Sequence, residues 1–231
     1  MALEMLSEWR AVAMQVGLAF VAGFLEACGL IALFGLFIGH VTANIAVVGM
    51  AIATPVPGLG TKLLAVPFFV VVVALTRLGL HPLRLRGYDV ARLILALELV
   101  LLLAFVAAGL RYGPFTDSLA WSTTLTAALG VATLAVQNSG ARLIWKTRPS
   151  TTVMTLNLTH LSLDGVVILR DAEQAALEEA RKRLALVAPT LGGFLVGAAA
   201  GGLGYWIAGF WGGFAPAAVL LMLIFVGDEP D

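Results

Sequence analysis

The chain has 231 residues, 60% of them hydrophobic and only 12% charged, with a mean hydropathy of +0.98. So few charges cannot cover the surface of a soluble domain this long. Lys and Arg number 14, as do Asp and Glu, so no charge excess points to nucleic acid; Cys28, the single cysteine, excludes an internal disulfide and leaves no basis for a structural zinc site.

The opening decapeptide, MALEMLSEWR, sets Glu4 and Glu8 ahead of its only basic residue. A cleaved signal peptide starts with a basic region, so the first apolar stretch reads as a retained helix. Apolar blocks follow at about 11–31, 63–80, 93–110, 119–141, 184–200 and 203–226, several of them near the ~20 residues a crossing helix needs. Two more blocks, 32–53 and 149–169, are richer in Gly, Thr, Asn and His. Between the blocks lie TPVPGLGTK at 54–62, RYGPFTDS at 111–118 and the amphipathic RDAEQAALEEARKR at 170–183, all read as loops. Strands of alternating polarity are absent, which argues against a membrane barrel. The expected fold class is an all-α integral membrane protein, one transmembrane domain over 1–231.

Basic residues set the expected topology. Arg77, Arg84, Arg86 and Arg92 flank one loop, Arg142, Lys146 and Arg148 mark a second, and Arg170, Arg181, Lys182 and Arg183 a third. Cytoplasmic loops carry the Lys/Arg excess. If all eight blocks crossed, the second and third clusters would fall on opposite sides. If the two polar blocks enter and return on one side, all three clusters become cytoplasmic, and 54–62, 111–118 and 200–204 become external. The charges therefore predict six transmembrane helices plus two re-entrant half-helix segments, with both termini cytoplasmic. Three crossings in each half would invert 114–231 relative to 1–113, giving a 3+3 inverted repeat of the kind transporters use. At an offset of 113 residues Gly17-Leu18-Ala19 aligns with Gly130-Val131-Ala132, Gly79 with Gly192, and Thr42 and Asn44 with Thr155 and Asn157.

Non-helical backbone at membrane depth survives only inside protein or beside a watery cavity. Thr and Asn oxygens accept the free N–H groups of a helix's first turn. Thr42/Asn44 and Thr155/Asn157 are thus expected to open two half-helices whose positive ends favour an anion or a carbonyl-bearing solute. The plainer reading is that they hold packed helices together. Gln137 and Asn138 in the fourth span, with Ser150, Thr151 and Thr152 on the second descending arm, join the candidate substrate layer. Glu26, well inside the first span, and His40 are candidate proton-coupling groups; a neutral structural acid fits Glu26 as well. His160 neighbours the second element, and Glu98, in the third span, is expected to pair across to another helix. Gly193, Gly197 and Gly201 form a small-residue stripe that favours close packing and makes a homodimer a fair expectation. Trp9, Trp145, Trp206 and Trp211 fall near span ends, where interfacial Trp belongs.

No nucleophile elbow, zinc-protease motif, P-loop or dinucleotide fingerprint occurs, and Asp164 and Asp171 lack metal-ligand companions. No enzyme activity, metal or cofactor is expected.

The stretch GFLEACGLIALFGLFIGHVTANIAVVGMAI at 23–52 resembles the YoaK-like family of uncharacterised multi-pass bacterial inner-membrane proteins. That family shows an acidic residue followed by Ala in the first span, then Phe–x–x–His/Asn–x–Thr–Gly–Asn. Here those positions read Glu26-Ala27 and Phe37-Ile38-Gly39-His40-Val41-Thr42-Ala43-Asn44. The family's central LQN corresponds to Val136-Gln137-Asn138, and its later Ser–Thr–Thr–x–x–Thr to Ser150–Thr155. Glu stands for the usual Asp, and Ala43 for the usual Gly. The resemblance implies a multi-pass inner-membrane protein and brings no substrate.

The expected function is a small-solute transporter, proton-coupled through Glu26 and His40. Its partners would be a small molecule or ion and the lipid bilayer. A passive channel, or a non-transporting scaffold or sensor, is the alternative; a water-accessible path reaching Thr42 and Thr155 separates these readings.

Overall fold

The computed structural model describes residues 2–170 and 173–227, with side chains from Glu8 onward, and every regular element among them is helical. In chain order these are α1 (Ala2–Ala32), α2 (Val41–Met50), α3 (Leu59–Leu85), α4 (Val90–Tyr112), α5 (Trp121–Leu143), α6 (Met154–Leu169), α7 (Gln174–Ala208) and α8 (Phe214–Val226), with a 3-10 turn at Gly209–Gly213. Four segments are long and apolar enough to cross a bilayer: Glu8–Ala32, Leu59–Leu85, Val90–Tyr112 and Gln174–Val226. The chain is a membrane protein. α5 has the same 23-residue length as α4 but is more polar, and its polar groups are turned inward. Thr126, Thr133 and Ser139 are buried there, each hydroxyl donating to the carbonyl four residues back. That bond satisfies the hydroxyl without breaking the helix.

Helix directions follow from which residues touch. α1 and α7 run parallel with their backbones in contact: Gly193 meets Val16, Gly197 meets Phe20 and Gly201 meets Phe24. A Cβ on Gly197 would overlap the Phe20 carbonyl, so only glycine fits. The small-residue stripe is thus occupied within the chain and gives no argument for a second copy. α3 and α5 also run parallel, Gly60 lying by Leu119 at one end and Arg84 by Leu143 at the other. This pair is looser, with an apolar cavity of about 460 Å³ between Leu64 and Phe68 on one side and Ala127 and Val131 on the other. α4 runs antiparallel to α5, Ile94 against Gly140 and Phe105 against Gly130, and antiparallel to α8, with Val106 against Gly213. The core fills with Leu18, Leu25, Ile94, Leu102, Phe105 and Leu134.

The short helices leave and return at one end. The end of α1 and the start of α3 meet, because Lys62 Nζ donates to the carbonyls of Phe34 and Pro57. α2, between them, has 10 residues and rises only about 15 Å, half the hydrocarbon thickness. The end of α5 and the start of α7 likewise line one cavity with 147–150, and α6, with 16 residues, lies between them.

Arg77, Arg84 and Ile144 share a cavity, Arg142, Arg148 and Arg183 share the one just described, and Arg92 lies beside Gly227. All three basic clusters therefore gather at one end of the bundle. Two expected loops are corrected. The stretch 174–183 is helical and begins α7; Asp171 lies outside the described residues. The turn expected at 200–204 falls at 209–213 instead. Gly201 keeps its helical form because its backbone packs on Phe24, whereas Gly209, with φ of +58°, ends the helix. Trp145 is a third correction: it is buried against Gly140 and Ile94 rather than set in the interface.

Candidate functional site

Two non-helical segments, 33–40 and 144–153, carry most of the polar chemistry. The first opens where α1 ends. Phe34 takes a left-handed φ of 56° and Gly35 one of 74°, while Gly35 N donates back to Leu30 O, an end usually built on glycine. The segment then folds back along α1. Gly39 N donates to Glu26 Oε2 at 2.7 Å, and His40 Nδ1 stands 3.2 Å from Glu26 Oε1, off the line of a good hydrogen bond. The His40 ring packs edge-on against Phe194 of α7 at 5.9 Å. Asn44 clamps the segment from α2: its Oδ1 accepts from Phe37 N at 3.1 Å and its Nδ2 donates to Phe37 O at 2.8 Å.

The second segment is held by neutral groups. Gln137 Nε2 donates to Leu18 O at 2.9 Å and to Thr151 Oγ1 at 2.7 Å, joining α5, α1 and the segment. Thr152 Oγ1 donates to Asn138 Oδ1 at 2.7 Å. Asn157 Nδ2, from α6, donates to Ser150 O at 2.7 Å. Asn44 and Asn157 both reach seven residues back, and the two clamps are 113 residues apart. Gln137 Oε1 and Asn157 Oδ1 are buried with no hydrogen-bond partner.

The starts of α2 and α6 come close together. Gly39 abuts Leu134, where an added Cβ would lie 2.7 Å from the Leu134 side chain, and Thr152 bonds Asn138. Four residues of α5 separate those contacts, about 6 Å.

The expected capping is corrected. His40 and Val153 stand at the caps, neither helix has a side-chain cap, and Thr42 and Thr155 lie exposed on the second turn-position of their helices. The asparagines, at position four of each helix, instead bond backbone that precedes it, because helical side chains lean toward the helix N-terminus. Glu98 is fully buried and neither oxygen has a partner, so the expected pairing is not there. His160 lines the cavity at the basic end.

Sequence reasoning missed two residues. Lys62 is buried and holds two carbonyls across the α1–α3 junction; a lone lysine just before an apolar run was its only signal. Asp164 receives Arg183 Nε and Nη2 at 2.8 and 2.7 Å. That guanidinium holds the Asp164 carboxyl below its usual range.

Chemically, the first segment offers a carboxylate beside an imidazole, a pair able to hold or pass one proton. The second offers acceptors still lacking donors, which suits a hydrogen-bond donor or a solute amide.

Residues 14–227 match the family model described as Protein of unknown function (DUF1275), so the chain belongs to that family. Comparison with curated proteins and with solved structures gives no match.

Proposed function

We propose that this DUF1275 protein is a small-solute transporter, proton-coupled, built from six crossing helices and two re-entrant ones. α1, α3, α4, α5, α7 and α8 are the crossings. α2, with 10 residues, is too short to cross, and α2 and α6 each lie between helix ends that share one side of the bundle. Gathering of the arginines at one end favours that end, with both termini, as cytoplasmic in a bacterial inner membrane.

The observation that carries the reading is the pair of asparagine clamps, Asn44 on Phe37 and Asn157 on Ser150, offset by 113 residues. They support a 3+3 inverted repeat of 1–113 and 114–231. Packing partners repeat at the same offset: α1 with α7 and α8, α5 with α3 and α4, α2 with α3, α6 with α7. Inverted repeats that bring broken helices together at mid-membrane form solute sites between them. The solute is assigned to the space between the starts of α2 and α6, beside Gln137, Asn138 and Thr152, with Thr42 and Thr155 one residue into each helix. Glu26 and His40 carry the coupled proton.

The test uses proteoliposomes with a trapped pH dye, challenged with small anions and neutral amides. Wild type is expected to show solute-dependent acidification, and Glu26→Gln none, with its folding unchanged. Solute flux without a pH change would make the protein a channel. With no flux, and no reaction of Thr42→Cys or Thr155→Cys (in a Cys28→Ser background) with water-soluble thiol reagents, it is a scaffold.

A further inference from the structure

A second polar space opens behind the start of α6 and shares Ser150 and Asn157 with the second segment. At the basic end, a cavity of about 390 Å³ is walled by the end of α5, residues 147–150, α6 and the first turns of α7. That is the size of an ordinary small-ligand pocket. Among the described residues, Arg142, Arg148, Lys182 and Arg183 line it, against one carboxylate, Glu179. Arg183 already holds Asp164 with two bonds and Glu179 at 3.3 Å. Among the described residues, Arg142 and Lys182 thus line the space with no uncommitted carboxylate on its wall.

Cytoplasmic orientation alone asks for basic residues anywhere on that side; it does not ask for them around one concavity. A second observation points to a ligand. Asn157 also lines the cavity, is fully buried, and its Oδ1 has no partner. Its Nδ2 is committed to Ser150 O, so the free oxygen can only accept. A wall of cations with one buried acceptor fits an oxyanion that also bears a hydroxyl. Arginine and lysine at a membrane's basic face bind phosphate groups in this way.

We propose that this cavity binds a phosphate group, either free in solution or on the headgroup of an anionic phospholipid. Arg142 and Lys182 supply the charge, and Asn157 accepts from a phosphate or glycerol hydroxyl.

The full chain is placed in phosphatidylcholine nanodiscs and its melting temperature followed as inorganic phosphate is added, with chloride at matched ionic strength as control. A second set of nanodiscs contains phosphatidylglycerol. A rise with inorganic phosphate identifies a soluble oxyanion; a rise with phosphatidylglycerol alone identifies a lipid headgroup. In Arg142→Gln/Lys182→Gln, apparent affinity for the active probe should fall about tenfold or more, as expected when charge-assisted bonds are lost. Asn157→Asp, which adds negative charge beside the anion and sets an oxygen against the Ser150 carbonyl, should weaken binding, read on the fraction that melts cooperatively. No response to either probe, or an undiminished response in the double variant, overturns the assignment. Neither outcome depends on transport.

Discussion

The two non-helical segments solve one problem in different chemical terms. Each leaves a long helix at depth, must satisfy its own backbone, and starts a short helix. Each does so with an asparagine seven residues on. The first segment, however, is surrounded by titratable side chains: Glu26 on Gly39, His40 beside Glu26, Lys62 on two carbonyls. The second is held by neutral amides and hydroxyls and opens on a basic cavity. The backbone clamp is shared, and the neighbours decide what each segment can do. One is a junction of titratable side chains, the other a neutral one that opens on a basic cavity.

That contrast can be broken most forcefully at Lys62. Lys62→Met removes two part-buried hydrogen bonds, to the Phe34 and Pro57 carbonyls, at about 1.5–3 kcal/mol each for a charged donor, so the melting temperature should drop clearly. The position 113 residues on is Ala175, which is exposed, and Ala175→Met should have no measurable effect. Equal melting of the two variants would mean that the first junction is not sealed by its lysine.

The asparagine clamps sharpen the comparison. Asn44 makes two bonds to Phe37, Asn157 one to the Ser150 carbonyl. At about 1 kcal/mol per bond, Asn44→Ala should destabilise roughly twice as much as Asn157→Ala in thermal or denaturant unfolding. The reverse order would show that the second segment depends on its clamp more than its bonds suggest.

The smallest expected effect concerns pH at the second segment's outer edge. Asp164 has its carboxyl held low by Arg183, so its contribution is present above the unfolded value of about 4 and is lost as pH falls through the folded one. Wild type should melt above Asp164→Asn at pH 7, with the gap closing as pH drops below about 4. A gap independent of pH would assign the difference to packing rather than to the ion pair.

Much of this was legible from the residues. The long apolar blocks became α1, α4 and α5 with little change, and the offset of Thr42/Asn44 to Thr155/Asn157 located both short helices. The roles within those helices were not legible. Nothing in a Thr-x-Asn triplet says whether the asparagine bonds the first turn or the segment before it; that depends on how the segment folds back. Lys62 escaped because its partners come from the end of α1, brought near only by the return of α2. Arg183 and Asp164 are 19 residues apart on different helices, a pairing that depends on how α6 lies on α7. Trp145 looked interfacial because sequence position gives depth but not which side of a helix faces inward.

The α1–α7 contact has a mechanical consequence. Glycines 193, 197 and 201 set one backbone directly on the other across three turns, leaving no side chains to slide or repack. α1 belongs to residues 1–113 and α7 to the remainder. A joint of backbone on backbone therefore ties residues 1–113 to the remainder, whereas the joint between α3 and α5 has an apolar cavity in it. Such a seam opposes rocking of the two proposed repeats as separate bodies. Any large movement has to divide the protein along a different line, with α1 and α7 travelling as one strut and α3 and α5 shearing against each other.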